Sequence, residues 1–410
     1  MNSSAAGFDV VVTGMGVLSG LSCGVDRLEE TVRGAVMRAS EVDQRAGYHL
    51  PESARLAVLS GGADLSNWVT PAMGRRMSMP SKFAVAASRM ALTDTELLGA
   101  VAGPRTAVVM SNALGTTDCT ERLLRTAFLD GPAAVSPFTF TESVSNAAAA
   151  QIAIDSRAQG PNITIVQREA GILTAVGRGV AEVAAGRADR ALVGGVEEVP
   201  PLMHALLDRM DSLARPQSEG GEVARPFDRR RSGFVASEGA VVLVLERADQ
   251  ARARGARIRA RVRGFGSAFD PTAPRVGWGR GDAGLAEALV RVIDRAGLTP
   301  RDIGRIVSGA SGAVAGDRLE AHTLRRVFQG MDLPPIVTPK SVTGQYGGGF
   351  LAAAILAVSA QEFVSPVDFS PDPNLGVIPH CGGPLEPAKI TLITSLASGG
   401  AASWLLLERS

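Results

Sequence analysis

The chain has 410 residues, 45% of them hydrophobic and 20% charged, with a formal net charge of +1. That length allows one large core or two smaller ones, and the balanced charge gives no whole-molecule attraction to nucleic acid or to an anionic membrane. Three cysteines, Cys23, Cys119 and Cys381, stand too far apart for a disulfide framework or a zinc motif, and of 42 basic residues only Lys82, Lys340 and Lys389 are lysines.

In chain order, the opening MNSSAAGFDVVVTG has no basic segment followed by an apolar one, so no signal peptide is expected. FDVVVTGMGVLSG reads as an apolar strand entering a glycine turn. Its Gly14, Gly16 and Gly20 lack the spacing of a dinucleotide fingerprint, which leaves a tight turn as the expectation. RTAVVMSNALG at 105–115 repeats the pattern, and TDCTERLLR then opens a helix whose N-terminus would lower the pKa of Cys119. NITIV, RALVGGVEE and GAVVLVLE are further buried strands, with the helix GILTAVGRGVAEVAAGRA among them. DRRRSGF at 228–234 carries turn chemistry, and in ARARGARIRARVRGFG the alternating Arg257, Arg259, Arg261 and Arg263 predict a strand with one solvated face.

The second half repeats this grammar. LAEALVRVIDRAG is a helix with a glycine stop, RIVSGAS and PPIVTPKS are strands, and ITLITSLASGGAASWLLLE closes the chain as two more. GQYGGG at 344–349 lacks the lysine-serine end of a phosphate loop, so close backbone packing is expected there. The apolar helix from Phe350 to Ser359 is too short to span a bilayer. Strands rich in Val and Ile, alternating with helices, predict an α/β protein whose sheet is covered on both faces. The halves are placed at 1–251 and 252–410, and a soluble cytoplasmic protein without metal or cofactor is expected.

The chemistry centres on TIVQREAGIL, residues 164–173. A strand-to-helix turn of this kind presents a nucleophile in many enzymes, but here the turn holds Glu169. Only four histidines, His49, His204, His322 and His380, are available as general bases, and the adjacent His380-Cys381 pair on a loop is poorly placed to act together.

Six blocks taken together, VVVTGMGVLSG, GPNITIV, ARPFDRRRSGFVASEGAVVLVLE, AGDRLEAHTL, TPKSVTGQYGGG and SLASGGAASWLL, resemble a ketosynthase of the thiolase superfamily over nearly the whole chain. The resemblance implies a duplicated αβαβα layered fold, active as a dimer, using one cysteine and two histidines for decarboxylative condensation. Laid on this chain, the cysteine position falls on Glu169. The two histidine positions fall on Gly309 and Gln345, while the lysine of the KSxTG motif is kept as Lys340. The final glycine-rich turn, which normally carries phenylalanines, here has Leu396 and Ser398.

With all three catalytic positions changed, the chain resembles the chain length factor, the degenerate partner of the catalytic ketosynthase in bacterial type II polyketide synthases. That resemblance implies a heterodimer with an active ketosynthase and work on chains borne by an acyl carrier protein. It also implies a tunnel wall at Thr117, Thr120 and Leu124, which share one helical face. The usual glutamine is a glutamate here, which suggests a divergent branch making reduced or polyene chains. Since an unpaired buried carboxylate is costly, Glu169 and Lys340 are expected to form a structural ion pair. Two rival readings stay open: a malonyl-thioester decarboxylase, and an inactive homodimer that binds acyl carriers.

Overall fold

Ten strands form the continuous path of the main sheet in the computed structural model, which describes residues 9–20, 22–34, 37–60, 63–97, 103–216, 221–346, 349–363 and 368–410. The first eight residues of the opening segment and Gly347-Gly348 of the glycine run lie outside the described residues. The strands come in two sets of five. The first set is β1 (Val10–Ser19), β2 (Thr106–Asn112), β3 (Asn162–Val166), β4 (Arg190–Glu197) and β5 (Gly239–Arg247). The second is β6 (Ala260–Phe269), β7 (Ile303–Val307), β8 (Ile336–Val337), β9 (Ile390–Leu396) and β10 (Ala401–Glu408).

The spatial order is β3-β2-β4-β5-β1 in the first set and β8-β7-β9-β10-β6 in the second, which is the same order in each set of five. Directions repeat as well. β2 is parallel to β3 and β4, and β5 is antiparallel to β4 and β1. Likewise β7 is parallel to β8 and β9, and β10 is antiparallel to β9 and β6. The sets meet where β1 runs antiparallel to β6, with Val11 opposite Arg261 and Val12 opposite Ala260. The crossing from one set to the next runs through a short helix, Ala248–Ala253.

Helices fill the spaces that these sheets leave: α1 (Met79–Asp94), α2 (Thr117–Leu129), α3 (Ala147–Ser156), α4 (Gly171–Ala184), α5 (Asp282–Arg295), α6 (Val314–Val327) and α7 (Gly349–Ser359). α4 packs on β2 and β4 of one set and on β6 and β10 of the other, and α7 packs on β1, β5 and β9. Those two helices are therefore the middle layer. α1 and α3 cover the outer face of the first set, and α5 with α6 that of the second, giving the duplicated αβαβα arrangement of a thiolase-like fold. Period-2 alternation sorts the side chains: Ala107 and Val109 of β2 face the central core, while Val108 and Met110 face the outer one. α7 is apolar all round because it is buried on nearly every side.

Two local expectations change. Gly14 and Gly16 lie inside β1 and make no turn. A Cβ at these positions would come within 2.4 Å of the Ala91 carbonyl oxygen and 2.0 Å of that of Ala87, so the glycines let α1 press onto the strand. The arginine run is a partly solvated face: Arg257 is exposed, while the other three arginines are tied down by carboxylates. The strand starts only at Ala260, Arg259 forks onto Asp94, Arg261 bonds Asp9, and Arg263 bonds Glu408. Among the described residues, no helix is long and apolar enough to cross a membrane.

Candidate functional site

β3 leads into a tight elbow. Gly160, just before the strand, sits where a Cβ would be 2.6 Å from the Thr106 carbonyl oxygen, so β3 can lie close against β2. After Val166 the chain turns at Arg168, a non-glycine residue with φ of 45°, and α4 begins at Gly171. At Gly171 a Cβ would be 2.3 Å from Ser111 Oγ, so that hydroxyl would have to turn aside. A left-handed backbone at a bulky residue is strained and persists only where its surroundings hold it. The elbow aims Glu169, 7% exposed, into a cavity of about 30 Å³ shared with Asn112, Glu197, Lys340, Gln345 and Tyr346. That is room for about one water molecule.

Glu169 is held from both sides. Oε1 accepts from the Tyr346 hydroxyl at 3.3 Å, and Oε2 accepts from the Ser398 backbone N–H at 3.2 Å. Burial pushes its carboxyl above the ordinary range, opposed by a hydrogen bond from its own backbone N–H and by the Lys340 charge. Tyr346 is itself left-handed, with φ of 75°, and burial drives its phenol well above its usual value. Glu197, at the end of β4, accepts from the backbone N–H groups of Ala113 and Leu114, and burial raises its carboxyl to about 8. Next to it Glu198 is raised to about 7, again by burial, and accepts from Asp118 N–H at 2.9 Å.

Lys340 enters from the second half. It starts a short helix, Lys340–Thr343, and its Nζ donates to the Gly309 carbonyl at 2.8 Å while lying 4.7 Å from the centre of the Phe350 ring. Burial lowers the ammonium to about 8, and the Glu169, Glu320 and Asp317 carboxyls act in the other direction. The expected ion pair is therefore not a contact pair. Glu169 spends its hydrogen bonds on Tyr346 and Ser398, and Lys340 spends its own on Gly309. The two groups line one pocket and feel each other only through the field. Glu320, which shares that field, is held by the hydroxyls of Ser308 and Thr394.

The other two altered positions are also buried. Gly309 donates to Thr394 Oγ1 at 3.2 Å, and a Cβ on it would lie 2.5 Å from the Thr394 carbonyl oxygen. Gln345 is 1% exposed, and its Oε1 finds no hydrogen-bond donor among the described residues. Glu169, Lys340 and Gln345 thus line one cavity, and Gly309 adjoins it through the Lys340 bond.

Thr117, Thr120 and Leu124 all fall on α2, away from that cavity. Thr117 Oγ1 donates to the Leu114 carbonyl at 3.0 Å, and Thr120 Oγ1 donates to those of Thr116 at 3.0 Å and Ser143 at 3.3 Å. Leu124 is exposed, as are Phe128 on the same helix, Phe138 and Phe140 just beyond it, Ile154 on α3 and Val166 at the end of β3. β3 is also the outer strand of its sheet. Cys119 is buried, and burial raises its thiol rather than the helix end lowering it. His380 and Cys381 bond separate carbonyls, those of Gly383 and Pro379.

Tyr346, Glu197 and the Arg168–Ser398 contact were missed from sequence. A pair of glutamates closing the apolar run RALVGGVEE, and one of only two tyrosines standing beside Gln345, were the available signals.

Comparison with known proteins places this geometry. Residues 8–251 match the N-terminal domain of beta-ketoacyl synthases, and residues 259–362 match the C-terminal domain. The chain is 29% identical to 3-oxoacyl-[acyl-carrier-protein] synthase 2 of Vibrio cholerae, a match covering 98% of this chain and 99% of that protein. It is also 29% identical to the enzyme of the same name from Staphylococcus aureus, over 98% of each chain. Among solved structures, it superposes on the ishigamide ketosynthase/chain length factor with a TM-score of 0.86 and 28% identity, over 99% of this chain and 100% of that one. A beta-ketoacyl synthase from Burkholderia phymatum gives a TM-score of 0.87 at 24% identity, covering 98% of this chain and 100% of the other, which bears on the fold alone.

Proposed function

This chain belongs to the beta-ketoacyl synthase family, and on that premise we propose that it is a subunit without condensing chemistry of its own, a chain length factor. The observation that carries this reading is the state of the three catalytic positions. Condensation needs a thiolate that attacks a thioester and later leaves. In its place stands Glu169, buried and hydrogen-bonded on both carboxyl oxygens. Gly309 offers no side chain and no space for one, and Gln345 cannot act as a general base. The retained Lys340 holds the Gly309 backbone instead of a substrate.

Such a chain acts through a partner. The outer strand β3, the exposed apolar residues of α2 and α3, and Phe138 and Phe140 beside them suit a dimer face with a catalytic ketosynthase that supplies cysteine and histidines. The ishigamide ketosynthase/chain length factor supports this reading at 28% identity. Thr117, Thr120 and Leu124 would then wall the acyl tunnel, and the product, carried on an acyl carrier protein, would stop growing where the tunnel closes. The two ketosynthase-like halves divide at 251/252, inside the short linking helix.

Reconstitution tests the proposal. The purified chain, given malonyl-carrier and starter, is expected to form no carbon–carbon bonds. With an intact ketosynthase it is expected to form a one-to-one complex that elongates to a defined length. Elongation of unchanged length by the ketosynthase without this chain would contradict it.

A further inference from the structure

The helix that carries Thr117, Thr120 and Leu124 is thinly anchored. Among the described residues of α2 only Cys119 is buried, while Leu124, Phe128 and Leu129 are exposed. Its main packing partners are the short helices Pro137–Glu142 and Pro201–Arg209 rather than the strands of the main sheet. Helices in proteins are held mostly by burial of an apolar face. With little of α2 buried, its place depends on polar tethers.

Two of those tethers come from the sheet. β2 and β4 are parallel neighbours, with Ser111 opposite Gly195, so their exits lie side by side. β4 leaves the sheet through Glu197 and Glu198, both buried. Glu197 accepts from Ala113 N–H with one oxygen and from Leu114 N–H with the other, at 3.2 Å, and so holds the turn between β2 and α2. Glu198 Oε1 accepts from Asp118 N–H, in the first turn of α2, at 2.9 Å. The N–H groups of a first turn lack partners within the helix, and a cap commonly comes from the residue just before it. Here that residue is Thr116, which makes no side-chain cap, and its buried hydroxyl has no partner among the described residues.

An internal cap moves with its helix, whereas a cap supplied by a neighbouring strand fixes the helix against the sheet. The backbone beyond the two glutamates is itself secured. Val199 N–H donates to Glu238 Oε2 at 3.2 Å, and Glu238 Oε1 accepts from Ser60 N–H at 2.6 Å. Other tethers of α2 run to loops, from Thr120 Oγ1 to the Ser143 carbonyl and from the Tyr48 hydroxyl to Glu121.

We propose that Glu197 and Glu198 are positioning residues for product length: by fixing where α2 stands against the sheet, they set the point at which Thr117, Thr120 and Leu124 stop the growing chain. The proposal rests on the reading of this chain as a chain length factor with its tunnel wall on α2, which it deepens by naming what holds that wall.

Mass spectrometry of the products of the reconstituted pair tests it. The wild-type pair is expected to give one defined length. Glu198→Ala removes the cap, and products of other lengths are expected to rise roughly fivefold, the size of shift that loss of a helix cap brings to an equilibrium. Glu198→Gln keeps an acceptor for Asp118 N–H and is expected to keep the single length. Glu197→Gln has nearly the same shape but retains one acceptor oxygen for two N–H donors, so it is expected to broaden the lengths as well. A role confined to stability would lower the yield of the pair and leave the distribution of lengths alone. A Glu198→Ala chain that pairs and gives the wild-type distribution overturns the proposal. Should Glu198→Ala fail to fold or pair, the same result in Glu197→Gln overturns it. A wild-type pair without a defined length, or one whose product length is unmoved by Thr117→Phe and Thr120→Phe, would instead overturn the functional reading, so the two failures are separable.

Discussion

Adding one methyl group at Gly309 probes whether this position has room for any side chain. The Cβ of Gly309→Ala would lie 2.5 Å from the Thr394 carbonyl oxygen and 3.0 Å from Ser395 Cα. Both are backbone atoms of β9, which is hydrogen-bonded to β7 on one side and β10 on the other, so the obstacle cannot rotate away. Gly309 cannot retreat freely either, because its N–H is bound to Thr394 Oγ1 and its carbonyl to Lys340 Nζ. Its φ is not left-handed, so sterics alone decide the outcome. Where space exists, Gly→Ala stabilises by about 0.4–1 kcal/mol through the unfolded chain. Overpacking costs about 1–3 kcal/mol, and a displaced carbonyl would add the loss of a charged hydrogen bond, about 1.5–3 kcal/mol. A net destabilisation of roughly 1–3 kcal/mol is expected, read as a lower thermal midpoint and a lower urea midpoint at unchanged slope. The same geometry bars Gly309→His, so the triple reversion Glu169→Cys, Gly309→His, Gln345→His is expected to stay inactive. A Gly309→Ala protein as stable as its parent, or an active triple revertant, would refute the steric reasoning.

Thr117→Phe or Thr120→Phe is expected to shorten the product of the reconstituted pair while leaving the dimer intact by gel filtration; unchanged product mass in both rejects the tunnel placement. Glu169→Gln is expected to be tolerated, and Lys340→Met to destabilise, with the double variant recovering about 1 kcal/mol through the shared field; strictly additive effects would deny that coupling. Glu198 has its folded-state pKa raised by burial from the ordinary 4.5 to about 7. Its contribution is fully present below pH 4.5 and is lost as pH rises to about 7, so stability should fall over that window by up to about 3 kcal/mol from this group. Glu198→Gln keeps an acceptor for Asp118 N–H and should flatten the decline in urea melts between pH 5 and 8; an unaltered slope counts against a buried, protonated Glu198.

Much of the fold was legible because its signals are local. Val- and Ile-rich runs marked β1, β2, β4, β5 and β9, and the glycine stop marked the end of α5. The repeated strand order was not legible, because it depends on which strands pair across hundreds of residues. Gly14 and Gly16 misled for a related reason: a glycine that frees a turn and a glycine that admits a helix look alike until the helix is in place. At the site, the block motifs pointed to Glu169, Gly309, Gln345 and Lys340, three of which line one cavity, but they did not show the partners of these residues. A lysine among few lysines suggested an ion pair with the nearest interesting acid. Its actual acceptor is a backbone carbonyl, which sequence never displays. Tyr346 and Ser398 reach Glu169 only because three loops from both halves converge, and Arg168 becomes visible as the turning point of the elbow only once its φ is known.

The most direct measurement is a radiolabelled malonyl elongation assay on three samples: this chain alone, the partner ketosynthase alone, and the pair. No carbon–carbon bond formation by this chain alone, with elongation to one defined length by the pair, is the expected result. Elongation by this chain alone would contradict the claim that Glu169, Gly309 and Gln345 mark a subunit relieved of the chemistry.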